Sequence, residues 1–236
     1  MSSPVKMVKN RIAVMKTLYG FVDLVKHPEH LERVFEISDA LVQQRLEVLG
    51  KMRDAFARTA TGAVALREKH RVALDLRALD VLPVGTLGRA FADHMRANGL
   101  DPAAIPTLEG DDELLFVRAH LYETHDIWHA VTGFDTDVAG ALGLQAFYWA
   151  QLPGGLPATI LGLGFFNTLI YAMNERDARM RAIVRGWLLG KRAKPFFGVR
   201  WNEMWGVPVT EVRRRLGVDI VEVEASLPGA SLARAA

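Results

Sequence analysis

Residues 111–133 have the sequence DDELLFVRAHLYETHDIWHAVTG, and this stretch predicts one long helix. Asp111 and Asp112 stand where the positive end of a helix dipole favours acidic side chains. Gly133 is the residue type that most often follows the end of a helix. The helix therefore begins near Asp111-Asp112, ends at Gly133, and carries the run His125-Asp126-Ile127-Trp128-His129 in its second half.

This run has the spacing of a metal-binding motif. His125 and His129 project from the same helix face, because residues four apart are neighbours on a helix. Asp126 lies about 100° around the helix from His125 and can close on the same ion from the side. Imidazole and carboxylate together suit zinc, iron, manganese or magnesium better than calcium. The alternative is that local hydrogen bonds satisfy the three side chains without any ion.

Helical periodicity dominates the rest of the chain, and alternating strand patterns are scarce. We predict an all-α, single-domain bundle of about seven helices over residues 1–224, followed by a loose tail at residues 225–236. The other six helices are predicted over a basic amphipathic segment ending near His27-Pro28, Glu29 to Phe56, Thr86 to Ala97, Asp137 to Gln151, Pro157 to about Gly190, and Pro208 or Thr210 to Gly217. Asp219 to Glu224 alternates like a single strand.

The composition limits the function classes. The chain has no cysteine, which excludes disulfides and thiolate metal sites. The net charge of +2 is too small to indicate nucleic-acid binding. Basic residues nevertheless cluster, which favours either a phosphate-rich partner or anionic membrane surface, or an ordinary solvated surface. The clusters are Lys6, Lys9, Arg11 and Lys16, and then Arg176, Arg179, Arg181, Arg185, Lys191, Arg192, Lys194 and Arg200. The N-terminus lacks the pattern of a secretory signal, so we expect a location on the cytoplasmic side.

A long apolar region follows the metal motif. No Asp, Glu, Lys or Arg occurs from Val138 through Asn174. The part from Pro157 to Met173 is marginal in length for crossing a bilayer, which takes about 20 apolar residues. It predicts a buried central helix, the wall of a hydrophobic tunnel, or a membrane-docking face. A lipid tail in such a tunnel would lie along Phe147, Leu163, Phe166 and Ile170.

Three blocks of this chain resemble the coenzyme-Q biosynthesis protein 4 family. The run from Arg118 to Gln151 contains H-D-I-W-H-A-V-T-G-F-D-T-D-V-A-G and is similar to the family pattern H-D-x-x-H, eleven residues, then E. Asp75 to Pro102, with L-P-V-G-T-L-G-R-A-F-A-D-H-M, is similar to the segment before it. Gly190 to Gly217, with F-F-G-V-R-W-N-E-M-W-G-V-P-V-T-E-V-R, is similar to the C-terminal block.

The resemblance implies an all-helical protein of ubiquinone biosynthesis, attached peripherally to a membrane, with a hydrophobic lipid-binding cavity for polyprenylated intermediates. It implies His125, Asp126 and His129 as metal ligands, with the metal serving oxidative decarboxylation at ring carbon one. It also implies a scaffolding role toward other biosynthetic proteins and leaves a homodimer open. His70, His94 and His120 lack partners at ligand spacing, so no metal role is predicted for them.

The chain departs from the family pattern at Ala141, where the resemblance places a glutamate ligand. A methyl group cannot coordinate a metal, which leaves three interpretations. Water fills the vacancy and the site stays open, as catalytic sites require. Another group, Gln145, Asp135 or Asp137, takes its place. Or the site has degenerated and the protein is a non-catalytic lipid carrier or scaffold, for this pathway or another.

Overall fold

The computed structural model describes residues 46–102, 108, 110 and 112–227. Within these residues it has ten α-helices and no strand. The helices are α1 (Leu46–Phe56), α2 (Ala60–Glu68), α3 (Leu76–Asp80), α4 (Leu87–Ala97), α5 (Glu113–Thr132), α6 (Val138–Gln151), α7 (Leu156–Tyr171), α8 (Arg176–Arg192), α9 (Val209–Leu216) and α10 (Ile220–Ser226). The predicted N-terminal amphipathic helix, the first part of the second helix and the tail from residue 228 lie outside the described residues.

Side-chain caps fix the helices that position the site. Thr86 accepts a hydrogen bond from the Arg89 amide at the start of α4, and Asp112 accepts one from the Leu115 amide at the start of α5. Asp137 accepts one from the Gly140 amide and begins α6. These caps satisfy amides that a helix start leaves unpaired. The predicted boundaries of these three helices are therefore confirmed.

The far end of α5 is also held in place. Gly133 ends the helix with a φ of 68°, a left-handed conformation that favours glycine. The Arg213 guanidinium, from α9, donates to the carbonyl oxygens of Val131 at 2.8 Å and Ala130 at 3.2 Å. A cation at the negative end of a helix is favourable. The second half of α5, which carries the predicted metal motif, is thus anchored at its end.

The prediction of one helix from Pro157 to Gly190 is wrong. A short 3-10 turn, Met173–Glu175, separates α7 from α8, and the two axes bend by 117°. Arg179 is buried at this corner, where its guanidinium donates to Asn167 Oδ1 at 2.6 Å, Thr168 Oγ1 at 2.9 Å and Glu175 Oε2 at 2.8 Å. These hydrogen bonds fasten the start of α8 to the end of α7.

The predicted strand from Asp219 to Glu224 is also wrong, because the segment forms α10. The Asp219 side chain caps this helix by accepting from the Glu222 amide at 2.8 Å. Val223 is fully buried, whereas Val221 is 75% exposed. The alternating apolar residues therefore do not share a face. The short helices α2 and α3 were not predicted either. These two, α10 and the division of one predicted helix into α7 and α8 bring the number in the described residues to ten.

No single helix among the described residues has both the length and the apolar character to cross a membrane. Only α7 and α8 taken together pass that test of length and composition, and their sharp bend separates them into two elements.

Helix α5 lies at the centre of the bundle, in contact with α1, α2, α4, α6 and α9. Helix α6 packs on α5 and, on another side, very closely on α8. A Cβ atom at Gly186 of α8 would fall 1.9 Å from the Gly143 carbonyl oxygen of α6. Only glycine permits this approach. Helix α6 therefore stands between α5 and the α7–α8 corner.

Candidate functional site

The predicted metal motif lies on the buried side of α5, facing α4 and α6. His125 is half-buried, and its Nδ1 lies 3.2 Å from the Tyr148 hydroxyl of α6. His129 is buried, and its Nδ1 lies 2.9 Å from the Phe134 carbonyl oxygen. The two imidazole rings are neighbours, with centroids 5.0 Å apart. The motif thus faces the interior of the protein.

The hydrogen bond of His129 defines its tautomer. A carbonyl oxygen can only accept, so the proton sits on Nδ1 of His129 and Nε2 keeps a free lone pair. Histidines that bind metals are held in this way, with the second ring nitrogen donating to a carbonyl or carboxylate. His129 is therefore oriented and protonated as a metal ligand would be.

A third imidazole, which the sequence did not indicate, joins this group. The His94 ring of α4 stacks on the His129 ring with centroids 5.5 Å apart and planes 21° apart. Its Nε2 is buried and has no hydrogen-bond partner among the described residues. We call His94, His125, Asp126 and His129 the imidazole cluster. The sequence does not predict the contact of His94 with His129, because only the packing of α4 on α5 brings together these residues, which lie more than thirty positions apart.

Burial controls the ionisation of the imidazole cluster. It lowers the pKa of His125 to about 4, with the charge of His94 adding to the effect. It lowers the pKa of His129 to about 3, with His125 contributing in the same direction. Burial also lowers the pKa of His94, against the opposing pull of Asp126 and Asp135. All three imidazoles are therefore neutral at pH 7, the form in which histidine binds metals.

Two acidic groups complete the electrostatics. Burial raises the pKa of Asp126, although the nearby His129 and His94 pull it down. Burial and the charge of Asp126 raise the pKa of the Tyr148 hydroxyl well above its usual value. The Tyr148 hydroxyl is thus a neutral group at physiological pH, able to donate to or accept from His125.

The side chains of the imidazole cluster have the chemistry of metal ligands but not yet the geometry of a formed site. Among the described residues, no three His, Asp or Glu side chains lie close enough around one point to hold an ion as they stand. The chemistry of the donors nevertheless fits, since three neutral imidazoles, one with a buried and unpartnered Nε2, and a half-buried carboxylate are suitable ligands. Ala141 is half-buried on the same face of α6 as Tyr148, two turns earlier. His125, Asp126 and His129 remain the predicted ligands.

Of the substitutes considered for the missing glutamate, Asp137 is engaged elsewhere. Its carboxylate caps α6 by accepting the Gly140 amide at 2.6 Å, and the residue is exposed. Asp135 is exposed, and Gln145 is half-buried on α6. His94, by contrast, contacts the motif directly through the His129 ring, and the charge of Asp135 acts on His94.

A second candidate site lies on the other side of α6. Helices α6, α7 and α8 enclose a groove of about 410 Å³. Every residue that lines it is apolar: Ala146, Trp149, Ala158, Leu161, Gly162, Phe165, Ile183, Val184, Trp187 and Leu188. The rings of Trp149 and Trp187 meet at its mouth with centroids 5.6 Å apart, and both residues are partly exposed. We call this feature the apolar groove.

The residues predicted to contact a lipid tail lie around the apolar groove rather than in its wall. Phe147 is fully buried in the core, where its ring meets those of Trp128 and Phe196. Leu163 is half-buried on α7. Phe166 and Ile170, also on α7, are 60% and 59% exposed. Their contact with lipid remains a prediction.

Phe166 and Ile170 belong to an apolar surface at the end of α7. It also includes Leu169, Tyr171 and Met173, each more than half exposed. Large contiguous apolar surfaces are uncommon on monomeric soluble proteins and usually mark an interface. We call this surface the α7 rim.

Comparison with known proteins identifies relatives of the whole bundle. The model of a family described as Coenzyme Q (ubiquinone) biosynthesis protein Coq4 matches residues 5–222. A crystal structure of a protein from Nostoc punctiforme, provisionally assigned to ubiquinone biosynthesis, resembles this chain with a TM-score of 0.73 at 30% identity. The match covers 86% of this chain and 97% of that one. It confirms the predicted all-α, single-domain fold.

Curated relatives are similar over a shorter part of their length. The chain is 33% identical over 177 residues to the mitochondrial ubiquinone biosynthesis protein COQ4 of Yarrowia lipolytica, covering 72% of this chain and 66% of that protein. It is 33% identical to the Aspergillus niger protein, covering 72% and 59%, and 31% identical to the Rattus norvegicus homologue, covering 71% and 64%. The chain thus spans less than two thirds of these relatives.

Proposed function

Because this chain belongs to the Coenzyme Q (ubiquinone) biosynthesis protein Coq4 family, we propose that it binds polyprenylated ring intermediates of ubiquinone biosynthesis in the apolar groove. The observation that carries this proposal is the groove wall, which is apolar at every position. Its volume of about 410 Å³ falls in the range of about 300–1,000 Å³ that is usual for small-molecule sites.

The wall favours the isoprenoid tail over the aromatic head of such a molecule. Transfer of a methylene group from water to an apolar environment contributes about 0.8 kcal/mol, so a prenyl chain gains binding energy along its whole length. A phenol or benzoate head needs hydrogen-bond partners, and the only side-chain donors of the wall are the indole N–H groups of Trp149 and Trp187 at the mouth. The tail therefore occupies the groove and the head stays at its mouth.

Peripheral contact with a membrane accompanies this role. The α7 rim presents large apolar side chains next to Phe165, which also lines the groove. Arg176 at the start of α8 is exposed and paired with the exposed Asp177 at 3.1 Å, so apolar area rather than net positive charge favours membrane contact here. The protein then collects a lipid intermediate from the membrane and presents it to other ubiquinone biosynthesis proteins, as a carrier or scaffold.

The test is to block the groove. A Cβ atom at Gly162 would meet nothing within 4 Å, so Gly162→Phe places a ring in the groove without a backbone clash. We expect binding of farnesylated 4-hydroxybenzoate, measured by equilibrium gel filtration, to weaken at least tenfold. A blocked variant that binds as tightly as the parent overturns the proposal.

The matched control is Gly50→Phe. Gly50 lies on α1, outside the groove wall, and a Cβ there also meets nothing within 4 Å. This variant adds the same side chain to a helix glycine and leaves binding unchanged. A parent protein that does not bind the probe also overturns the proposal.

A second function, metal-dependent oxidative decarboxylation at ring carbon one, is supported by the imidazole cluster. In this reaction the ring carbon loses its carboxyl group as carbon dioxide and gains a hydroxyl group, with dioxygen as the external oxidant and source of the oxygen atom. His125, Asp126 and His129 would hold the metal, which when bound would supply a Lewis acid for oxygen chemistry on the ring. His129 is buried from water, His125 and Asp126 are half-buried, and the Phe134 carbonyl fixes the protonation of His129. Tyr148 holds a proton at its hydroxyl beside His125.

Measurements of carbon dioxide release and of lipid binding distinguish the catalytic function from the carrier function. In the catalytic function, His125→Ala abolishes release of carbon dioxide from a carboxyl-labelled prenylated benzoate but leaves binding in the groove intact. In the carrier function, no release occurs in the parent protein, and lipid binding survives His129→Ala. Metal content that rises only in Ala141→Glu would favour the degenerate site and hence the carrier.

A further inference from the structure

We infer that His94 is a metal ligand of this protein, so that the site joins α4 to α5 and offers three imidazoles and one carboxylate. The class of ligand is a divalent transition metal such as zinc, iron or manganese. The inference concerns metal binding alone and stands whether or not the apolar groove holds a lipid.

The spacing of the three rings supports a shared ion. His129 lies between the other two, with centroid distances of 5.0 Å to His125 and 5.5 Å to His94. With metal–nitrogen bonds of about 2.0–2.1 Å, two imidazoles on one tetrahedral ion have ring centroids about 5 Å apart. The ring separations are therefore those of co-ligands. The nearly parallel planes of His94 and His129 do not converge on one point, so a shared ion requires one of these two rings to turn.

The Nε2 atom of His94 supplies the second observation. It is buried and has no hydrogen-bond partner among the residues that the structure describes. Leaving a buried polar atom unpaired costs about 1–3 kcal/mol. The sequence keeps this cost although Phe or Leu would fill the same space without it. A ligand that binds Nε2 removes the cost.

The position of Ala141 explains why the additional donor comes from α4. Helix α6 faces the cluster through Tyr148, which reaches His125 with its hydroxyl. Ala141, on the same face of α6, has no donor atom. Helix α4 also packs on α5, and His94 is the imidazole that it contributes.

Cobalt binding tests the inference, because the visible absorption of Co²⁺ depends on the number and type of its ligands. We expect the full chain to bind one Co²⁺, and Zn²⁺ to displace it. In His94→Phe, which keeps a stacked ring against His129, affinity falls at least tenfold and the absorption spectrum changes. His94→Gln gives the same result by a second route if the first variant does not fold.

The matched control is His70→Phe. His70 is also a partly buried imidazole whose ring nitrogens have no partner among the described residues, but its ring makes edge-to-face contacts with His120 and Phe116 instead. This variant binds Co²⁺ as the parent does. A parent that binds no metal overturns the inference, and so does a folded His94 variant with unchanged affinity and spectrum.

Discussion

The two faces of α6 are unusual in opposite ways: one faces polar groups in the interior, and the other carries apolar groups at the surface. On one face Tyr148 turns toward the imidazole cluster, in which His129 is buried and His94, His125 and Asp126 are half-buried. On the other face the next residue, Trp149, is 47% exposed beside an apolar groove. Folding alone favours polar groups outside and apolar groups inside. Sequences keep such exceptions mainly at functional sites, and here one helix separates two of them.

The comparison also shows what the two regions share. Both depend on the position of α6, which the close approach of Gly143 and Gly186 fixes against α8. The imidazole cluster lies on the α5 side of this contact, and the apolar groove opens on the α7 side. A change at the glycine contact therefore reaches both regions, whereas a change in either region stays local.

The largest effect is expected from Gly186→Leu. A Cβ atom at this position falls 1.9 Å from the Gly143 carbonyl oxygen, so α6 and α8 have to move apart. Overpacking against side chains costs about 1–3 kcal/mol, and a clash with backbone costs more. We expect the free energy of unfolding, measured with urea, to fall by about 3 kcal/mol or more.

The control is Gly162→Ala on α7, where the added methyl meets no atom within 4 Å. This change stabilises by about 0.4–1 kcal/mol, because it lowers the entropy of the unfolded chain. Equal effects of the two substitutions would show that α6 is not held at a fixed distance from α8.

The next largest effect is a pH dependence of the free energy of unfolding that arises from His120, a buried imidazole of α5. Burial, with the charges of His70 and Arg71, lowers the pKa of His120 to about 3. Its Nε2 accepts the Gly198 amide at 3.2 Å, so the folded protein holds it neutral. Below pH 6.5 the unfolded chain binds a proton at His120 that the folded protein does not. Stability therefore falls as the pH drops from about 6.5 toward 3.

His120→Gln removes this proton and keeps a group that can accept from Gly198. Between pH 6 and 4 the free energy of unfolding should fall less steeply in this variant, by up to about 1.4 kcal/mol per pH unit. Above pH 7 the two slopes should coincide. Parallel curves at acidic pH would mean that His120 titrates alike in both states.

The smallest effect is expected at the α7 rim. Phe166→Ser combined with Ile170→Ser removes two exposed apolar side chains without opening the core. We expect binding to vesicles of phosphatidylcholine and cardiolipin, measured by sedimentation, to weaken about tenfold, or about 1.4 kcal/mol. Val84→Ser, at a position that is 83% exposed between α3 and α4, serves as control. Undiminished binding of the double variant would assign membrane contact to another surface.

The parts of the fold that the sequence predicts well are those with local causes. Thr86, Asp112 and Asp137 each cap a helix by accepting from the amide three residues later, so the sequence alone predicts where these helices begin. The corner between α7 and α8 contains no proline or glycine, so the sequence does not predict a break there. It depends on Arg179, whose partners Asn167 and Thr168 lie twelve and eleven residues earlier.

The candidate site divides in the same way. His125, Asp126 and His129 are visible from spacing because one helix carries them. His94 is not, because only the packing of α4 against α5 places it on His129. The apolar groove was expected as a tunnel wall, but its lining residues depend on the bend after Tyr171, which brings α8 back along α6.

The paired rings of Trp149 and Trp187 give the apolar groove an optical signature of its own. Two indoles with centroids 5.6 Å apart couple their electronic transitions, and both are partly open to water. Trp128 and Trp201 are fully buried and insensitive to solvent by comparison. Occupation of the groove therefore appears as a blue shift in fluorescence and a change in near-ultraviolet circular dichroism, so the protein reports on its own ligand without a label.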